Sequence, residues 1–105
     1  MGGSNNFNTI GPSLGNDCSD IDIEKQLFSP DKTVISKIKK GDILQIEYDS
    51  TKRSLIVTFK GELAGTLIGK EFIQLIQCIQ NKYIFIGVVA NVHGGNCTIR
   101  IINKP

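Results

Sequence analysis

The chain has no tryptophan, one histidine, three cysteines and three prolines in 105 residues. Each shortage excludes something. The lone histidine, His93, stands beside Gly94 and Gly95, with no cysteine or carboxylate at the spacing that acid–base or nucleophilic catalysis needs. No serine sits in a G-x-S-x-G elbow, and no glycine run opens a helix as a phosphate cradle. The sequence predicts a protein that is not an enzyme. No C-x-x-C pair or Cys–His cluster is present, so zinc is not expected, and no motif asks for another cofactor.

Three cysteines cannot all pair internally. Cys78 falls in a helical pattern and Cys97 in an alternating strand, where each behaves as a small apolar residue. Cys18 lies among carboxylates, which disfavour a reactive thiolate. Together they suggest a reducing compartment. No run approaches the roughly 20 apolar residues that cross a bilayer, and the N-terminus lacks the basic and apolar regions of a signal peptide. The expectation is a cytoplasmic protein with no membrane partner.

Net charge is only +2, too small for a strongly basic nucleic-acid binder, but its distribution is uneven. Residues 1–31 carry five acids (Asp17, Asp20, Asp22, Glu24, Asp31) against Lys25 alone, and residues 32–105 carry eleven bases against five acids. A basic body with an acidic leading segment suits an anionic partner, or shielding of the basic face by that segment.

Residues 1–16 are mostly Gly, Asn, Ser, Thr and Pro, with Phe7, Ile10 and Leu14 in no period that would bury them. They read as a flexible tail before a single small domain over 17–105. Ile21, Ile23 and Leu27 alternate with polar residues as a half-buried strand. Ser29-Pro30 resembles a helix start, with Val34, Ile35 and Ile38 on one face and Gly41 after it, so a short helix is expected near 30–39. Leu44, Ile46 and Tyr48 then mark a second strand, and Leu55, Val57 and Phe59 a third. After the turn Lys60-Gly61-Glu62, residues Leu63, Gly65 and Leu67 carry a fourth strand, with Gly65 at a bend or bulge. Gly61-x-x-x-Gly65 reads as room for close strand packing.

Over 69–80 the apolar period changes to 3.6: Phe72, Ile73, Leu75, Ile76 and Ile79 form a stripe, opposite Lys70, Glu71, Gln74 and Gln77. A hairpin closes the pattern, Tyr83–Val92 and Cys97–Ile102 around His93-Gly94-Gly95-Asn96. The fold class that follows is mostly β, an α+β chain forming a small antiparallel barrel of about six strands with one amphipathic helix.

Two surface features point to binding. Ile84, Ile86, Val88 and Val92 share one face of their strand, which leaves Tyr83 and Phe85 on the other as a platform for stacking bases. Lys52 and Arg53 occupy one turn, Lys60 the next, and Arg100 faces away from Cys97, Ile99 and Ile101. If such cations converge, they bind phosphates in a salt-dependent way. Lys52, Arg53, Lys60, Tyr83, Phe85 and Arg100 are the expected nucleic-acid contacts.

The order GDILQIEYD, SLIVTFKGELAGTL, KEFIQLIQCIQNKYIFIGVVANV, over roughly residues 41–101, resembles the HIRAN domain. That resemblance implies a small barrel and binding of single-stranded DNA ends through an aromatic and basic groove. The fold is what carries over from it; no individual DNA contact does. The expected function is therefore non-catalytic binding of single-stranded nucleic acid. The alternative is a protein-interaction module or accessory subunit using an open strand edge and segment 17–31. The sequence leaves the oligomeric state open.

Overall fold

The computed structural model describes residues 18–104; the tail expected over 1–16 lies outside them. A 3-10 turn at Cys18–Asp20 leads into β1 (Asp22–Gln26), α1 (Lys32–Ile35), β2 (Ile43–Asp49), β3 (Ser54–Phe59), β4 (Glu62–Leu67), α2 (Phe72–Gln80), β5 (Phe85–His93) and β6 (Asn96–Asn103). The strands form one antiparallel sheet in the order β1-β6-β5-β2-β3-β4, curled into a half-barrel.

Alternation decides the inner face. Leu44 and Ile46 of β2, Leu55, Val57 and Phe59 of β3, and Cys97, Ile99 and Ile101 of β6 all point into one core. Helix α2 adds Phe72, Leu75 and Cys78 to it. Ile76 and Ile79 pack at its margin, and Ile73 is exposed, so the apolar stripe is narrower than the sequence suggests.

The turns follow residue chemistry. Lys60-Gly61 and Gly94-Gly95 both have positive φ at the two central positions, as a type I′ hairpin turn requires. The short helix α1 is capped by Asp31, whose carboxylate accepts the Val34 N–H at 3.1 Å, and not by Ser29. Asp31 wins because its oxygen reaches the third residue of the helix, the usual N-cap geometry.

The half-barrel is drawn together just after β1. Leu27 N–H donates to the Cys97 carbonyl, and Phe28 exchanges both backbone bonds with Thr66 of β4, at 2.8 and 2.9 Å. Gly65 makes room for this closure: a Cβ there would meet Leu27 Cβ at 3.1 Å and the Phe28 carbonyl at 3.2 Å. The β3–β4 register also shifts beside it, between Val57 and Thr58, which leaves Ala64 as the extra residue of a bulge.

The cysteines correct the sequence reading. Cys18 and Cys78 form a disulfide with Cα atoms 5.8 Å apart, which ties the 3-10 turn to α2. Spacing along the chain hid the pair, since 60 residues separate the two. Cys97 alone is free; it is buried in the core, and that burial raises its thiol pKa. Among the described residues, no helix is long and apolar enough to cross a membrane.

Candidate nucleic-acid interface

The site begins where two neighbouring strands part company. β2 and β5 pair only from Ile43↔Val88 to Gln45↔Ile86. Beyond Gln45, β2 keeps β3 on one side, but β5 has already ended at Phe85. The last turn of α2 and the Lys82–Ile84 connection border the fork. The result is an open groove of about 630 Å³ lined by Ile46, Glu47, Tyr48, Ile79, Lys82 and Tyr83, among others.

The end of α2 sets the position of Tyr83. Tyr83 N–H donates to the Cys78 carbonyl at 3.1 Å, and Lys82 N–H donates to the Ile79 carbonyl at 3.0 Å. These two bonds, with Lys82 at φ +77°, make a Schellman C-cap in which a lysine occupies the left-handed position usually held by glycine. Tyr83 leaves the helix 41% exposed, while Tyr48 is half-buried across the groove.

Cations gather at the same end of the sheet. The β2–β3 turn follows Tyr48 directly, and it is shaped by Asp49, whose carboxylate accepts the Thr51 and Lys52 N–H groups at 3.0 and 3.3 Å. Lys52 and Arg53 are both exposed there. Lys104 is held beside the groove wall, its N–H donating to the Ile84 carbonyl at 2.8 Å. Glu47 lines the groove beside Lys82, and the Asp49 carboxylate lies in the Lys52–Arg53 turn.

Two of the expected contacts lie elsewhere, and a third, Phe85, borders the groove without an exposed ring. Phe85 is only 1% exposed and cannot offer a stacking face. The phase of β5 is the reverse of the expected one: Phe85, Gly87 and Val89 point into the core, and Ile84, Ile86 and Val88 point outward. A strand with large apolar residues on both faces gives no period to choose between them. Arg100 is engaged by Asp22, Nε to Oδ1 at 2.8 Å and an Nη to Oδ2 at 2.5 Å. This pairing lowers the Asp22 pKa and raises that of Arg100.

Lys60 lies at the opposite end of β3, roughly 20 Å from the Lys52–Arg53 turn at 3.3 Å per residue. Successive hairpin turns alternate between ends of a meander, so these two could not meet. Its ammonium sits 5.2 Å from the Phe59 ring centroid. There it shares a second depression with Lys37, Lys39 and Asp42, and Lys37 is itself paired with Glu62 at 3.0 Å.

Sequence reasoning missed Tyr48 and Lys82 as groove residues. Tyr48 continues the core alternation of Leu44 and Ile46, and only the divergence of β5 exposes its ring. Among the described residues, no group of three or more His, Cys, Asp or Glu side chains could hold a metal ion.

No protein-family model and no curated protein matches the sequence. The fold is similar to the crystal structure of a protein from Lactobacillus plantarum, a structural-genomics target. The TM-score is 0.64 at 8% identity, over 78% of this chain and 96% of that one. At that identity the likeness concerns the fold alone.

Proposed function

We propose that this chain is a non-catalytic module that binds single-stranded nucleic acid in the fork between β2 and β5. The observation that carries the reading is the meeting of Tyr48 and Tyr83 in one groove lined also by Lys82, with Lys52 and Arg53 in the turn that follows Tyr48 and Lys104 bonded through its backbone to Ile84. Unpaired bases offer π-faces to tyrosine rings irrespective of sequence, each stack contributing about 1–3 kcal/mol. Phosphates between the bases meet the cations, and release of their counterions makes binding salt-dependent. A duplex keeps its bases stacked on each other and cannot use the rings. The resemblance to HIRAN domains supports the same ligand class.

The fork also favours a second reading. Residues 46–49 of β2 have β3 on one side and no described strand on the other, beside Ile84, which is 59% exposed. An extended peptide could add to that edge as a further strand, making this a protein-interaction module. A labelled oligothymidylate titrated at two salt concentrations separates the two. Binding that weakens with salt and is weaker in Tyr83→Ala supports the nucleic-acid reading, and no binding at low salt favours the peptide.

Compartment enters through the disulfide. A cytoplasmic location, the expectation from composition, implies that Cys18 and Cys78 are kept as thiols; an oxidising compartment keeps them bridged.

A further inference from the structure

The disulfide and the groove meet at one residue. Cys78 lies three residues before the Asn81 C-cap of α2, and its carbonyl accepts the N–H of both Asn81 and Tyr83, each at 3.1 Å. Its side chain, 2% exposed, is bonded to Cys18. The next residue, Ile79, lines the groove. A single residue thus holds the N-terminal turn through sulfur and the groove tyrosine through its carbonyl.

We propose that the Cys18–Cys78 disulfide is a redox-sensitive latch on the groove. This inference rests on the groove reading above and names its regulation. In the oxidised chain, the 3-10 turn at Cys18–Asp20 is clamped to α2, the last helical turn is fixed, and Tyr83 is set toward Tyr48. Reduction removes the clamp. The C-cap then depends on a left-handed lysine, Lys82, a conformation that non-glycine residues adopt only at a cost. The last turn of α2 frays, and Tyr83 loses its fixed position.

The chemistry needs a low-molecular-weight thiol or a dithiol protein as reductant. Cys18 is the more exposed of the two cysteines. A reductant thiolate attacks Cys18 Sγ, the S–S bond breaks, and Cys78 leaves as a thiolate that takes up a proton. A second thiol resolves the mixed disulfide. Two electrons and two protons end on the two cysteines, and the reductant leaves as its own disulfide. Cys97, buried at 0% exposure, takes no part.

The test is amide hydrogen exchange by NMR on the full chain, oxidised and then reduced with a phosphine, with Cys18→Ser as a second route to the open state. Expected are lost protection at the Tyr83 and Asn81 amides and unchanged protection in the β5–β6 hairpin. Fluorescein-labelled oligothymidylate should bind the reduced chain about 5-fold or more weakly, at the low end of ordinary coupling between sites. Equal Tyr83 protection in both states overturns the latch whatever the oligonucleotide does. Lost protection with equal affinity in both states overturns its control of binding. If the oxidised chain shows no affinity at all, the groove reading fails, and with it the regulatory half of the proposal. The exchange data would still decide whether the disulfide fixes Tyr83.

Discussion

Gly65 of β4 and Leu27, just beyond β1, lie so close that a Cβ on residue 65 would stand 3.1 Å from the Leu27 Cβ. The Phe28 carbonyl is a further obstruction, at 3.2 Å, and backbone cannot swing aside as a long side chain can. Gly65→Ala should therefore destabilise by about 1–3 kcal/mol through overpacking at the closure, and Gly65→Val by more. Urea denaturation measures it. A neutral Gly65→Val would mean that the Phe28–Thr66 bridge does not hold the half-barrel together.

Within α2, burial separates neighbours that look alike in sequence. Phe72 is 3% exposed and Ile73 is 58% exposed. Phe72→Ala should cost roughly 3–5 kcal/mol, whereas Ile73→Ala should be nearly silent in the same denaturation experiment. Comparable losses from both would place α2 differently on the sheet.

The disulfide closes a loop spanning 60 residues in sequence. Its removal by Cys18→Ser should lower stability by about 2–4 kcal/mol. Cys97 is the counterpart: burial raises its thiol pKa, so the thiolate is scarce and shielded. Iodoacetamide should leave the native oxidised chain unlabelled and modify one cysteine once it is unfolded. Labelling at Cys97 under native conditions would contradict the described core.

Acid should loosen both side-chain ties of β1. Hydrogen bonds from Arg100 hold the Asp22 carboxyl below its ordinary pKa, and the Lys25 hydrogen bond does the same for Glu71. Carboxyls with a depressed folded pKa contribute stability above the unfolded carboxylate range. That contribution is lost as pH falls through the folded values. Both pairs are about half-exposed, so solvent screening keeps the effect small. Melting temperature should decline gently below about pH 4, and less so in Asp22→Asn/Glu71→Gln. An identical decline in the double variant would show that these pairs contribute nothing.

Much of the fold is legible in the sequence because its signals are local. Alternation in Leu44–Tyr48 and Leu55–Phe59, the 3.6 period after Phe72 and the Gly94-Gly95 turn each specify their element without reference to distant residues. What escaped is long-range. The face of β5 depends on how α2 delivers Tyr83 into the strand, and both faces of that strand are apolar. The Cys18–Cys78 bond and the Asp22–Arg100 pair join residues 60 and 78 apart. The site is the least legible part, since residue type alone groups Lys60, Phe85 and Arg100 with Lys52, Arg53 and Tyr83. Strand direction and side-chain partners then separate them.

The groove makes a sign-specific claim about charge. Glu47 lines the groove with Lys82, Tyr48 and Tyr83, so Glu47→Gln should strengthen oligothymidylate binding, and Lys52→Glu/Arg53→Glu should weaken it for all base sequences alike. Lys60→Glu, at the far end of β3, should change affinity much less. Equal losses from Lys60→Glu and the Lys52/Arg53 pair would move the interface away from the fork.

The most direct measurement is the fluorescence anisotropy of a labelled oligothymidylate titrated with the oxidised chain across a range of salt concentrations, for the native sequence and for Tyr83→Ala. The account predicts that the logarithm of the affinity falls linearly with log salt. It also predicts that Tyr83→Ala weakens binding roughly 5- to 150-fold, the loss of one base stack of about 1–3 kcal/mol, with little change in the salt slope. Salt-independent binding, or full affinity without the Tyr83 ring, would contradict it.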